Sequence, residues 1–194
     1  MSGDAKNKVE YGLEKAYYSL VTEDPTTGAV TYGTPIALMG AASLQLSAVG
    51  EVLKFYADNI EYFSTATNDG YEGDLSLALL SDQFRKDVLQ ETEDSKGVLF
   101  ENRSAVTKKF ALLFQFEGDI KATRHAMYYC SVMSRPEIKG ETKADKTNPK
   151  TEAIKISCKP RPDNGFVKAK TTALTDPTAY DSWYTTVYQR AEVA

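Results

Sequence analysis

Apolar and polar side chains alternate with a period of two along most of this chain, and this pattern is what most restricts its fold. The alternation is clearest over residues 110–116, where phenylalanine and leucine share one face and Ala111 and Leu113 lie on the other. Successive side chains of a β-strand point to opposite faces, so the pattern predicts strands. Apolar residues on both faces predict a central strand. The sequence therefore predicts a mainly β domain.

Two hairpins are predicted in the first third of the chain. Residues 17–21 and 30–32 flank a turn that contains proline and glycine. The alternation then continues from Ser43 to Ala57, and Gly50 falls where a turn would separate two strands. This second hairpin has modest apolar content on one face only. We therefore expect a ribbon that projects from the body of the domain, with Gly50 at its tip.

One short α-helix is predicted after the alternating segment Asp74–Leu79, whose leucines share a face. Ser81 is a favourable N-cap, and Asp82 lies in the first turn, where the helix dipole favours a negative charge. Phe84 and Val88 are four residues apart and predict a narrow buried stripe. A second helical start is indicated at Asp176-Pro177, where proline occupies the first helical position.

The second half of the chain repeats the β pattern and suggests no boundary between domains. A strand over 124–133 is expected to place Ala126, Tyr128, Cys130 and Val132 on one side. Two more strands are expected at 154–158 and 166–172. The predicted organisation is one domain over 1–194, with an N-terminal arm at 1–12, a polar loop at 137–151 and a C-terminal segment at 176–194.

The net charge of −4 is unevenly distributed. Residues 51–101 carry twelve acidic and four basic side chains, whereas residues 102–194 carry ten acidic and sixteen basic ones. In a subunit that assembles with itself, the acidic part of one copy can lie against the basic part of the next. The alternative is that the acidic part and the basic part are both simply solvated surfaces, and the charge counts are equally compatible with it.

The two cysteines, Cys130 and Cys158, are expected to be buried thiols rather than a disulfide. The chain begins without the apolar core of a secretory signal and contains no apolar run of about 18 residues. These features predict synthesis in a reducing cytoplasm and no membrane span, and thiols of this kind behave as small hydrophobic side chains.

No catalytic, cofactor or metal signature is recognisable. The single histidine, His125, lies among aromatic neighbours and is expected to be structural. There is no GxSxG elbow and no phosphate-binding loop. A calcium loop that places Gly70 or Gly73 at its sixth position would have Ser76 or Leu79 at its twelfth, where a glutamate is required. The sequence predicts no enzyme, cofactor or metal. A pI near 5.2 also argues against tight nucleic-acid binding.

Six segments, in their order and spacing, resemble the major tail protein, or tail tube protein, of long-tailed bacteriophages and prophages. These segments are YGLEKAYYSL, VTYGTPIALMGAASLQLS, FYADNIEYF, NDGYEGDLSLALLSDQFRKDVL, FALLFQFEGDIKATRHAMYYCSV and KPRPDNGFVKAKT. They are distributed from residue 11 to residue 171, so the resemblance runs through nearly the whole chain.

The resemblance implies a tail-tube-type β-sandwich or barrel with one flanking short α-helix and a projecting hairpin. Such subunits form hexameric rings that stack into a hollow tube, through which DNA passes without specific binding. The implied partners are further copies of the chain and the tape-measure, tail terminator and distal tail proteins, with no membrane. The implied location is the virion tail, after synthesis in the bacterial host cytoplasm.

By analogy, polar residues of the predicted ribbon and of the strands beside it become candidates for the lumen wall or for contacts between subunits. These candidates are Ser47, Gly50, Glu51, Lys54, Asp58, Glu61, Asp69, Glu72 and Asp74. Three alternatives stay open: the tube of a secretion or contractile injection system, a monomeric β-sandwich module that binds carbohydrate or peptide, and a hydrolase with an unrecognised site.

Overall fold

The computed structural model describes residues 6–140 and 150–191. Within them the chain forms strands β1 (Glu10–Glu23), β2 (Val30–Tyr32), β3 (Ile36–Ala37), β4 (Ala41–Val49), β5 (Val52–Ala57), β6 (Ile60–Ala66), β7 (Gly70–Leu77), β8 (Thr92–Glu93), β9 (Leu99–Phe100), β10 (Phe110–Gly118), β11 (Thr123–Ser134), β12 (Glu152–Cys158) and β13 (Lys168–Lys170), helices α1 (Asp82–Asp87) and α2 (Pro177–Asp181), and a 3-10 turn at Ser182–Tyr184.

Nine of these strands form one antiparallel sheet. Its hydrogen-bonded order is β2-β1-β10-β11-β12-β7-β4, with β3 paired to β1 and β13 paired to β11. The sheet curls so that β1 approaches β4, and its two walls face each other across a hydrophobic core as in a sandwich. The predicted mainly β sandwich is therefore confirmed.

The main core lies inside this curl and is closed by α1, as the sequence predicted. The Ser81 hydroxyl accepts a hydrogen bond from the Phe84 backbone N–H at 3.3 Å, which caps the helix. Phe84 and Val88 are fully buried, and the Phe84 ring meets Tyr18 and Phe110 edge to face. These contacts fix the helix against β1 and β10.

A second core covers the opposite face of β10 and β11. Ala111 and Leu113 of β10 contribute to it, and Trp183 and Val187 of the C-terminal segment cover them. The Asp176 carboxylate caps α2 by accepting from two backbone N–H groups. The prediction that β10 is a central strand with two apolar faces is thus confirmed, as is the helical start at Asp176.

The prediction that four side chains of β11 share one face is wrong. Ala126 and Tyr128 point into the second core, whereas Cys130 and Val132 point into the main core. The cause is a bulge, because the pairing advances by two residues on β10 while it advances by three on β11. An extra residue of this kind turns the following side chains to the other face of the strand.

The expectation of free thiols is also wrong, because the structure joins Cys130 and Cys158 in a disulfide. The two residues are direct partners in the register of β11 with β12, and their Cα atoms are 3.9 Å apart. Both are buried in the main core, as expected. The register of two strands that are distant in sequence brings the sulfur atoms together, and residue spacing does not reveal it.

The first predicted hairpin is confirmed by the pairing of β1 with β2, but the second is wrong in its pairing and its tip. β4 pairs with β7 along its whole length, and β5 pairs with β6. The tip is the turn at Asp58-Asn59, where both residues have left-handed φ angles of 52° and 63°. Such a two-residue turn matches the twist of the strands that it joins. Gly50 instead lies where the long hairpin passes from β4 into β5.

Two smaller differences concern the ends of elements. Leu79 lies beyond β7 and is exposed, rather than facing inward with Leu75 and Leu77. β1 begins at Glu10, inside the range predicted as an arm. Most of the predicted polar loop, residues 141–149, lies outside the described residues, and the prediction of a single domain stays a prediction.

Candidate functional site

The ribbon formed by β5 and β6 is exposed along both of its strands. Its side chains are nevertheless large and apolar, and between 53% and 71% of the surface of each is exposed. These side chains belong to Val52, Leu53, Phe55, Tyr56, Ile60, Tyr62 and Phe63. Exposed apolar side chains grouped on one element in this way are typical of sites of interaction with another molecule.

Contacts within the ribbon are few and solvent-exposed. Phe55 lies directly opposite Phe63, and the Lys54 ammonium contacts the Glu61 carboxylate at 2.7 Å across the two strands. Exposed ion pairs contribute little to stability, and an isolated two-stranded hairpin is marginal in water. The ribbon therefore gains much more from burial against a partner than from its own contacts.

The junction between sheet and ribbon is held in a defined geometry. Thr67 and Asp69 donate backbone hydrogen bonds to the carbonyls of Glu51 and Val49, both at 2.9 Å. The Thr67 hydroxyl accepts from the Glu51 N–H and donates to the Asp69 carboxylate. A Cβ atom at Gly50 would lie 2.2 Å from the Thr67 carbonyl oxygen, so the close approach of the two strands requires glycine there. These contacts hold the two strands together where the ribbon begins.

A second surface, the polar face, lies on the outer side of β4, β7 and β12. Leu44, Leu75 and Ile154 point inward to the main core, so the alternating residues beside them point outward. The polar face consists of Ser43, Gln45, Ser47, Glu72, Asp74, Ser76, Lys155 and Ser157. Small hydroxyl side chains and two carboxylates thus cover the outside of three neighbouring strands.

Within the polar face, the acidic residues have polar neighbours on both sides. Glu72 lies between Ser47 and Ser157 in the strand register, and its carboxylate accepts a hydrogen bond from the Ser157 hydroxyl at 3.0 Å. Asp74 lies between Gln45 and Lys155. The sheet therefore presents two carboxylates and one ammonium group on a surface without large apolar side chains.

The nine residues selected from the sequence do not form one cluster. They fall in three places: Lys54, Asp58 and Glu61 on the ribbon, Gly50, Glu51 and Asp69 at the junction, and Ser47, Glu72 and Asp74 on the polar face. The aromatic side chains of the ribbon were missed. Their signal is visible in residues 52–63, where large apolar side chains are frequent in both strands of the ribbon.

His125 is half-buried against aromatic side chains of the neighbouring strand. Its ring stacks on Phe114 with the ring centroids 5.1 Å apart and meets Phe116 edge to face. Burial, assisted by the nearby positive charges of Lys170 and Lys168 and opposed by Glu10, lowers the pKa of His125 to about 4. The imidazole is therefore neutral at physiological pH.

In residues 6–140 and 150–191, no group of three or more His, Cys, Asp or Glu side chains is arranged to hold a metal ion. No helix among these residues is long and apolar enough to cross a membrane. The chain matches no protein-family model and no curated protein. The exposed apolar ribbon and the polar face therefore carry the functional interpretation.

Proposed function

We propose that this chain is a structural subunit of a phage tail tube, in which rings of six copies stack into a conduit for the viral genome. The observation that carries the proposal is the exposed apolar ribbon. Burying a large apolar side chain stabilises an assembly by about 1.5–3 kcal/mol, so the ribbon as a whole represents on the order of 10 kcal/mol before the cost of association. A second copy of the chain is the partner that a self-assembling subunit always has available.

The polar face is suited to line the lumen of such a tube. Its serine side chains are small, and Glu72 and Asp74 repel phosphate groups over a Debye length of about 8–10 Å. DNA can then pass without being held. Asp58 and Glu61 lie on the ribbon, so we assign them to contacts between subunits rather than to the lumen wall.

The edge of the sheet supports assembly as well. β4 is the last strand in the hydrogen-bonded order, and it continues into the ribbon at Gly50. Pairing of strands between neighbouring subunits would cover edges that otherwise promote aggregation. In this proposal the further partners are the tape-measure, tail terminator and distal tail proteins, the location is the virion, and the chain performs no catalysis.

Electron microscopy and light scattering of the purified chain test the proposal. We expect rings or tubes for the natural sequence, and monomers for a variant with serine at Phe55, Tyr62 and Phe63. The matched control carries serine at Met39, Val106 and Ile138, which are apolar residues outside the ribbon and are even more exposed. Circular dichroism should show all three proteins folded.

The result that contradicts the proposal is a natural chain that stays monomeric at high concentration and low salt. In that case a monomeric β-sandwich module that binds carbohydrate or peptide becomes the better interpretation. Equal loss of assembly in the ribbon variant and its control would also count against a specific role for the ribbon.

A further inference from the structure

A cleft of about 480 Å³ lies beside the starts of β1 and β11 and combines basic with apolar side chains. We call it the basic cleft. Lys6, Lys121 and Lys170 line it, together with Ile120 and Leu174. Both of these aliphatic side chains are more than half exposed.

The charge of the basic cleft is only partly neutralised by its own residues. Lys170 contacts the Glu10 carboxylate at 3.0 Å. In the part of the chain that the structure describes, neither Lys6 nor Lys121 forms an ion pair, and the Lys121 ammonium lies 3.6 Å from the centre of the Tyr180 ring. The basic cleft therefore attracts a segment that carries carboxylates.

The walls of the basic cleft are fixed before anything binds. The Asn7 side-chain amide donates to the Lys121 carbonyl at 2.6 Å, and its oxygen accepts from the backbone N–H groups of Ile120 and Lys121. Thr123 donates to Glu10 at 2.8 Å. A partner that docks here does not have to order these residues, which lowers the cost of association.

The ribbon carries the complementary chemistry. Among the described residues, Glu51 at its base and Asp58 at its tip form no ion pair, and Ile60 and Tyr62 are exposed beside them. Carboxylates next to large apolar side chains match ammonium groups next to Ile120 and Leu174. Charge complementarity thus favours a second copy of this chain as the occupant of the basic cleft.

The position of the two surfaces on the sheet indicates which symmetry would join them. β7 and β11 run parallel, because each pairs antiparallel with β12. Tyr71, beside the point where the ribbon leaves the sheet, and Cys130 both pair with Cys158, so Thr123 and the basic cleft lie seven residues further toward the N-terminal end of β11. The ribbon continues the pairing of β4 with β7 past Gly70 in this same direction. Rotation about an axis parallel to these strands preserves the level of every surface, so a ribbon that extends from Gly70 toward the level of Thr123 suits a contact between neighbours in a ring. Head-to-tail contacts of this kind form a ring when the rotation closes.

We propose that the ribbon of one copy docks into the basic cleft of its neighbour within a ring. This inference rests on the proposed function, since it names the partner surface of the same ribbon. A photo-reactive benzoylphenylalanine in place of Tyr62 tests it in the full-length chain. When isotope-labelled and unlabelled subunits are mixed before assembly, we expect mixed-label cross-links to residues 120–123 or 170–174. The same probe in place of Met39 should give none.

A charge exchange tests the same contact without a probe. Reversal in the basic cleft (K6E with K121E) or on the ribbon (E51K with D58K) should each weaken association roughly tenfold or more, and mixing the two variants should restore it. The matched control, K96E with K108E, makes the same change in net charge at exposed lysines outside both surfaces. It should associate like the natural chain.

Each outcome separates the inference from the proposed function. Rings that form with cross-links elsewhere, or with links only inside single copies, overturn the ribbon–cleft contact and leave the tube subunit standing. A natural chain that forms no rings overturns both. If the K6E/K121E variant assembles normally but loses binding of a fluorescent DNA oligonucleotide, the basic cleft is a nucleic-acid site and the inference is wrong.

Discussion

The sheet and the ribbon are two parts of one long hairpin, yet their side chains have opposite surroundings. In β4 and β7 the inward residues Leu44 and Leu75 pack in the main core, and the outward residues are polar. In β5 and β6 the apolar residues Phe55 and Phe63 are just as large, but the described structure leaves them exposed. The sheet half thus buries its apolar side chains within one chain, whereas the ribbon half does not, and in the proposed assembly a second copy of the chain would cover them.

The largest effect on monomer stability is expected from truncation in the main core. Phe84→Ala should lower the free energy of unfolding by about 3–5 kcal/mol, because it leaves a cavity beneath α1. Phe55→Ala on the ribbon should change it by less than about 1 kcal/mol. Chemical denaturation of dilute, monomeric protein measures both values. A ribbon variant as destabilised as the core variant would contradict the contrast between the two regions.

The next effect concerns the residue at which the ribbon joins the sheet. Gly70 has a φ of 107°, and a Cβ atom there would lie 2.1 Å from the Cys158 carbonyl oxygen. We expect Gly70→Ala to lower the free energy of unfolding by about 2–3 kcal/mol, because the added Cβ atom clashes with the backbone and alanine disfavours this φ angle.

Gly28→Ala is the matched control for this substitution. Gly28 also has a positive φ, of 71°, but nothing lies within 4 Å of an added Cβ. This substitution should lower the free energy of unfolding by about 1 kcal/mol, measured in the same denaturation series. Equal costs at the two glycines would show that the tight junction seen here is absent in solution.

Acid should lower the free energy of unfolding through the protonation of His125. Its folded-state pKa of about 4 lies below the usual 6.5, so the unfolded chain binds more protons between these values. The contribution to stability is complete above pH 6.5 and is lost as the pH falls toward 4. After allowance for solvent screening, the loss is roughly 2 kcal/mol.

His125→Phe isolates this contribution, because the phenylalanine ring can keep the stacking on Phe114 without a titrating group. The difference in unfolding free energy between natural chain and variant should vary with pH between 6.5 and 4 and level off outside that window. A constant difference across the window would mean that burial does not lower the pKa of His125.

Elements determined by neighbouring residues could be predicted from the sequence, whereas pairings between distant residues could not. Ser81 and Phe84 define α1 through contacts within four residues, and both roles were predicted correctly. Gly50 and Asp58-Asn59 are each plausible turns, and only the pairing of β4 with β7 decides between them. The Cys130–Cys158 disulfide likewise depends on strand register.

The candidate site shows the same division. The acidic residues were found because charge is visible in the sequence, but their separation into ribbon, junction and polar face follows from the sheet order. Asp58 and Asp74 illustrate the difference: one occupies a left-handed turn position, and the other lies between Gln45 and Lys155 on a sheet. A one-residue change of register would exchange every inward side chain for its outward neighbour.

The smallest expected effect distinguishes charge on the ribbon from its apolar surface. Lys54→Ala removes the exposed ion pair with Glu61 and should change monomer stability by less than about 0.5 kcal/mol, a change that salt diminishes further. If apolar burial drives assembly, this variant should also form rings at nearly the natural concentration, measured by light scattering at low and high salt. A pronounced loss of rings that Lys54→Arg restores would show that the ion pair orients the ribbon for docking. The charges of the ribbon would then matter as much for assembly as its aromatic side chains.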